Sequence, residues 1–262
     1  RDYFRNASAI SYLAITLLER ASGKFAKLQK LSDLEEFENI GGYLKIKDNN
    51  LFINDPGKIF SMFHLCQTNS LLLHPDTKKA IIANLNLIDE NFITNRDNAL
   101  IFHKILSSKK DVFKIINLMH EIGIIGRYIP EFGKIIAKYQ YDKYHVYTVD
   151  VHSINTLKEI EKFRIQKKNK LYFAIAKKIE NPLVLNLAAL LHDIGKIYKA
   201  KHQEKGAEMV PSIAKRLYLD FKQEELLKFL IENHTYMYHV ATRRDIYSDD
   251  SIREFTAKFQ LV

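Results

Sequence analysis

The chain has 262 residues, room for one large domain or two modest ones, and its 47% hydrophobic and 27% charged content is that of a globular protein. A net charge of +9 suits an anionic partner, a nucleotide or an acidic protein surface; the lysines are scattered, which makes nucleic acid the lesser candidate. No stretch reaches the roughly 18–20 apolar residues of a membrane span, and Cys66, the single cysteine, excludes an intrachain disulfide and agrees with a cytoplasmic setting.

In chain order, the first signal is an amphipathic helix over residues 7–31, with Ile10, Leu13, Ala14, Leu17 and Leu18 at helical spacing. Gly41 and Gly42 then punctuate. Alternation from Tyr43 to Ile46, with turn chemistry at Asp48, Asn49 and Asn50, predicts a small β-hairpin near 43–53, the only strong strand signal. Asp55-Pro56 opens a helix that places Cys66 in an apolar run as a buried small hydrophobe. His74-Pro75-Asp76 begins another helix to Leu87, followed by helices over 95–106 and 111–124. Helices then fill 149–163, 172–179, 182–196, 206–218 and 224–233, with a basic loop over 162–170. With nine Gly and five Pro, the expected fold is all-α and mainly helical. The natural boundary lies near Gln140, giving a helical region with the hairpin over 1–140 and a second domain over 141–262. The chain starts at Arg1 rather than Met, and both ends fall inside helical patterns, so it reads as a piece of a longer polypeptide.

The chemistry concentrates in the second domain. His192-Asp193 ends the apolar run Leu187-Ala-Ala-Leu-Leu and precedes Gly195, which is expected to stop the helix. An unpaired buried His-Asp doublet is costly, and a divalent cation offsets that cost because it favours both the neutral imidazole and the carboxylate. His152 upstream and Asp245 downstream complete an expected metal set of His152, His192, Asp193 and Asp245 from three segments. His202 and His234 are candidates for a second metal or for the phosphate. His145 and Asp150 are expected to support the first ligand, whereas His64, His74, His103, His120 and His239 read as surface or ordinary core residues. The implied chemistry is metal-assisted hydrolysis at phosphorus. Asp193 would orient or deprotonate water, and Lys196, Arg243 and Arg244 would neutralise phosphoryl oxygens. Lys196 reads equally well as a charge that complements a helix C-terminus.

These residues carry a resemblance. The His-Asp pattern resembles the HD superfamily of metal phosphohydrolases. Met119-His-Glu-Ile-Gly-Ile-Ile-Gly-Arg-Tyr-Ile-Pro-Glu-Phe-Gly, then Tyr144-His-Val-Tyr-Thr-Val-Asp-Val-His, then Glu232-Asn-His and Thr242-Arg-Arg-Asp-Ile, resemble the bacterial PII uridylyltransferase/uridylyl-removing enzymes, the GlnD family. The likeness runs over nearly the whole chain. It implies an HD helical bundle preceded by a nucleotidyltransferase-associated helical region, and a domain that hydrolyses UMP from the uridylylated PII signalling protein. The family's nucleotidyltransferase motif and its ACT regions are missing from this sequence. By the same resemblance the cofactor is a divalent metal, Mg2+ or Mn2+, while the ligand types also admit Fe2+, Zn2+ or Ni2+. The family's glycine-rich loop after His-Asp is replaced here by Lys196-Ile-Tyr-Lys-Ala-Lys, which keeps the spacing to His202 but changes flexibility and charge. Two other readings stay open: a nucleotide or alarmone phosphohydrolase, and an inactive remnant or regulatory binding module.

Overall fold

The computed structural model describes residues 35–139, 147–165, 169–179, 182–198 and 200–259. The helix expected over 7–31 and His145 lie outside the described residues. What is described is mainly helical, with one three-stranded sheet of order β1-β2-β3.

Strands β1 (Phe37–Ile40) and β2 (Tyr43–Ile46) pair antiparallel, and β3 (Leu72–Leu73) adds in parallel to β2. The hairpin therefore turns at Gly41-Gly42, earlier than the sequence suggested. Both glycines take positive φ, 58° and 89°, as a tight two-residue hairpin turn requires. Asp48 accepts a hydrogen bond from the Asn50 amide, and the chain passes into helix α1 (Leu51–Asn54) instead of a second strand.

Helix α2 (Lys58–Thr68) begins after Asp55 has closed its own short turn on the Gly57 amide, so Asp55-Pro56 precedes the helix rather than capping it. Helix α3 (Pro75–Ala83) starts as expected: the His74 ring accepts from the Asp76 amide and proline takes the first position. It ends sooner than predicted, with residues Leu85–Leu87 in a 3-10 turn. Helices α4 (Glu90–Thr94), α5 (Arg96–Ser107) and α6 (Val112–Glu121) follow. Their inner faces meet around an aromatic nest in which Phe60, Phe92, Phe102 and Tyr128 pack edge to face, with Phe60 and Tyr128 ring centroids 4.7 Å apart. Cys66 is buried in the same core, and burial pushes its thiol up to about 12, which leaves it an inert small hydrophobe.

Helices α7 (Ile125–Tyr128) and α8 (Pro130–Gly133) are single turns whose backbones touch. A Cβ on Gly133 would stand 2.4 Å from the Gly126 carbonyl oxygen, so glycine is needed at 133 for this close approach.

The remaining helices are α9 (Val149–Ile165), α10 (Lys170–Lys178), α11 (Leu183–Leu191), α12 (His202–Arg216), α13 (Phe221–Asn233), α14 (Tyr236–Arg243) and α15 (Asp249–Phe259). The basic loop expected from 162 is shorter than predicted, because α9 continues to Ile165 and α10 begins at Lys170. Helix α11 is the axis of this half: all of its residues except Leu185 are buried, and it packs against α9, α13 and α5. One continuous hydrophobic cluster runs from Phe37 to Ile231.

Polar ties cross that core. The Asn186 side chain on α11 donates to the Leu106 carbonyl at the end of α5, at 2.7 Å and fully buried. Glu161 on α9 accepts from the Val112 amide at the start of α6, and Asp150 on α9 meets His120 near the end of α6 at 3.1 Å. Replacing Asn186 by Ala leaves the Leu106 carbonyl without its donor, at a cost of about 1–3 kcal/mol. The expected outcome is a denaturant midpoint shifted down with an unchanged slope, read by urea unfolding; an unshifted midpoint would show that the tie carries no stability.

Candidate metal centre

The structure brings four histidines to one carboxylate. His152 sits in the first turns of α9, His192 caps the C-terminus of α11, His202 is the first residue of α12, and His234 caps the C-terminus of α13. Asp193 is 2% exposed and lies where they converge. Its Oδ2 is 3.2 Å from His192 Nε2, 3.8 Å from His152 Nε2 and 2.8 Å from Lys196 Nζ. Its Oδ1 is 3.7 Å from both His202 Nε2 and His234 Nε2. Two groups with ligand geometry result, sharing Asp193: His152, His192 and Asp193, and Asp193, His202 and His234.

Local sequence explains how these side chains are held. Helix α11 does not run on to Lys196. It ends at Leu191, and Ile194–Ile197 tighten into a 3-10 turn that swings Asp193 and Lys196 to the same side. Gly195 is not a helix stop but a contact point: a Cβ there would lie 1.9 Å from the His202 carbonyl oxygen and 2.6 Å from the Gly206 amide nitrogen. Helix α12 correspondingly starts at His202, four residues earlier than predicted, after Lys201 turns the chain with φ of +56°. The Gly195 contact thus seats His202 beside Asp193.

Ring orientation follows from backbone acceptors. His192 Nδ1 lies 2.9 Å from the Ala189 carbonyl and His234 Nδ1 lies 2.7 Å from the Ile231 carbonyl. A carbonyl only accepts, so Nδ1 carries a proton in both rings and each Nε2 faces the centre. Burial lowers the pKa of His234 from 6.5 to about 4, and burial likewise lowers that of His202. Burial opposes the charge on Asp193, but His192 and Lys196 more than offset it and hold the carboxyl well below the usual range. The carboxylate is thus ionised and the His234 and His202 imidazoles neutral near pH 7, which are the ligand forms.

These residues fit a metal. Asp193 Oδ1 is buried and has no hydrogen-bond partner among the described residues. Facing it, the His234 Nε2 is another acceptor, and two acceptors 3.7 Å apart do not bond. A cation between them satisfies both.

Other expected residues fall elsewhere. Asp245 belongs to neither ligand group: α14 ends at Arg243, Arg244 is extended, and the exposed Asp245 closes a short turn on the Tyr247 amide. Arg244 is paired with Glu254 on α15, and Arg243 is exposed in the last turn of α14. Asp150 is buried against His120, which gives a histidine read as an ordinary residue a carboxylate partner. His120 and Thr148 hold the Asp150 carboxyl below its usual value despite burial. Two contributors went unseen in the sequence. Gln203 Nε2 donates to Thr235 Oγ1 at 3.0 Å, joining the immediate neighbours of His202 and His234. No spacing rule announces such a pair, because its partners are 32 residues apart.

Protonation gives a test of the metal-free centre. His64, His103, His202 and His234 all have pKa values lowered by burial, so the unfolded chain takes up their protons first as pH falls below 6.5. Stability from these groups is present above 6.5 and is lost toward pH 4. The carboxylates Asp150 and Asp193 have lowered values, so their contribution is lost only below about 3.8, outside that window. Burial raises the Glu121 and Glu161 carboxyls, which offset part of this loss at the acid end of the window, so the thermal midpoint of the metal-free protein is expected to fall from pH 6.5 toward about pH 5; a rising midpoint over that range would contradict the neutral histidines.

Comparison with known proteins agrees with this geometry. Residues 37–128 match the family model for the uridylyltransferase GlnD third domain, and residues 149–254 match the HD domain. Among curated relatives, the chain is 32% identical over 272 residues to a bifunctional uridylyltransferase/uridylyl-removing enzyme of Ruegeria pomeroyi, covering 99% of this chain and 30% of the relative. It is 30% identical over 240 residues to the enzyme of that description from Azospirillum brasilense, covering 90% and 26%. It is 33% identical over 230 residues to that of Caulobacter vibrioides, covering 87% and 24%. The chain thus spans about a quarter to a third of the length of these relatives. With a match to the GlnD third domain followed by a match to the HD domain, whose histidines and aspartate converge, the chain is similar to the third-domain and HD-domain portion of the GlnD family.

Proposed function

We propose that this chain is a metal-dependent phosphodiesterase that hydrolyses UMP from a uridylylated PII protein. One observation supports the reading most: a buried, ionised Asp193 carboxylate ringed by the Nε2 atoms of four histidines from four separate segments. The relatives' description as uridylyl-removing enzymes supplies the substrate class.

His152, His192, Asp193, His202 and His234 would hold the cation. When bound, it supplies Lewis acidity, which polarises a phosphoryl oxygen and acidifies water. A donor set dominated by imidazole suits Mn2+ or Fe2+ better than Mg2+, which prefers oxygen. Asp193 is too weak a base, with its pKa so far depressed, to drain the water of its proton unaided; its role is to orient that water and hold the site's negative charge. Lys196, 2.8 Å from Asp193, keeps the carboxylate ionised and brings a positive charge to the place where phosphoryl oxygens gain negative charge. With the UMP carried on a tyrosine, as the family resemblance implies, water adds to phosphorus and the tyrosyl oxygen leaves, taking up a proton, so the products are UMP and the unmodified tyrosine.

In the assay, chromatography follows release of UMP from uridylylated PII with Mn2+ present. Wild type is expected to release it, and Asp193→Asn to lose at least about 1,000-fold in rate, the scale of removing a preorganised electrostatic group. Asp193→Asn is also expected to lose a metal-induced rise in the thermal midpoint, which in wild type reflects about 2.7 kcal/mol at a hundred times the dissociation constant. A metal-induced rise in wild type without UMP release would overturn the substrate while leaving the metal centre; equal rises in both proteins would overturn the centre itself.

A further inference from the structure

We infer that the α9–α10 arm is a docking surface for an acidic patch on the protein that carries the nucleotidyl group, an inference that rests on the proposed function. Among the described residues of 162–178 there are five basic side chains, Lys162, Arg164, Lys170, Lys177 and Lys178, and no acidic one. Lys162 is neutralised by Glu159 at 2.6 Å, and Arg164 lies in the field of Glu161. On α10, Lys170, Lys177 and Lys178 enter no salt bridge among the described residues.

The same arm exposes large apolar side chains. Helix α10 has no buried residue at all. Leu171, Tyr172 and Ile175 repeat at i, i+1 and i+4, and are 65%, 48% and 51% exposed. Ile165 and Phe163 at the end of α9 add to them, and Phe163 meets Tyr172 with ring centroids 4.9 Å apart. A helix with no fully buried residue, yet with an amphipathic pattern, has its apolar stripe set for something outside the fold. The cations beside it set the sign of that partner.

Position favours the protein substrate over any other acidic surface. Helix α9 carries His152 near its start and forms the arm at its end, so the arm begins about 16 Å along the helix from the centre. A protein presenting a modified tyrosine to the centre covers about 800 Å2, a patch of about 16 Å radius, the same reach as from the centre to the start of the arm. Its rim therefore meets the arm. Small phosphodiesters do not reach it.

The test uses the metal-loaded chain and three proteins: wild type, Lys170→Glu/Lys177→Glu/Lys178→Glu, and Leu171→Ser/Ile175→Ser. None of these side chains is in the core, and circular dichroism checks the fold. Unmodified PII, which offers nothing to hydrolyse, is titrated as the binding probe, and thymidine 5′-p-nitrophenyl phosphate as a small phosphodiester. Both variants are expected to weaken PII binding and raise KM for uridylylated PII about tenfold or more, with hydrolysis of the small phosphodiester unchanged. Wild-type affinity is expected to fall with added salt. Binding within about twofold of wild type in both variants overturns the surface. So does an arm-dependent loss of binding to phosphatidylglycerol vesicles or single-stranded RNA with none for PII. If wild type binds PII through the arm but releases no UMP, the proposed function fails and the docking surface stands.

Discussion

The structure of the second half is organised by the need to keep one carboxylate charged inside a protein. Asp193 is buried, and a buried carboxylate persists only if neighbours repay its lost hydration. Lys196 and His192 do so on one oxygen, while the other faces His202 and His234 with no donor. Everything near it follows. Helix α11 must stop at Leu191 to turn the aspartate inward, and the following 3-10 turn must press against α12 closely enough that only glycine fits at 195. The Gln203–Thr235 bond then locks the two segments that carry the opposing histidines.

The centre is also tied to the preceding region. Helix α9 bears His152 and is held to α6 at both ends, by Glu161 on the Val112 amide and by Asp150 on His120. Helix α11 bears His192 and is tied to α5 through Asn186. Two of the four imidazoles therefore take their position from helices matched to the GlnD third domain as well as from the HD domain. The shared hydrophobic cluster makes that dependence a matter of packing, not of a few side chains alone.

Much of this was legible in the residues. The helices announced themselves by spacing, and the His192-Asp193 doublet at the end of an apolar run pointed to the centre because such a pair is costly to bury alone. His152, His202 and His234 stood out because imidazoles are scarce and their segments were separable, and the structure brings their ring nitrogens to one carboxylate. What misled was local. Asp48, Asn49 and Asn50 carry turn chemistry, but Gly41-Gly42 supplied the positive φ that the hairpin needed. Gly195 has the look of a helix terminator, yet its reason is the His202 carbonyl, whose oxygen would lie 1.9 Å from any Cβ placed there, which only three dimensions reveal. Asp245 carries the chemistry of a ligand, and the structure has its carboxylate on the Tyr247 amide, outside both ligand groups. His120 had a partner 30 residues away, beyond any spacing rule.

The most direct measurement is anomalous diffraction from crystals grown with Mn2+, recorded on both sides of the manganese edge. The account predicts a peak beside the Asp193 carboxylate, within coordination distance of Nε2 atoms among His152, His192, His202 and His234. Electron density that shows Asp193 bound by Lys196 and water alone, with manganese absent or seated elsewhere, would contradict it.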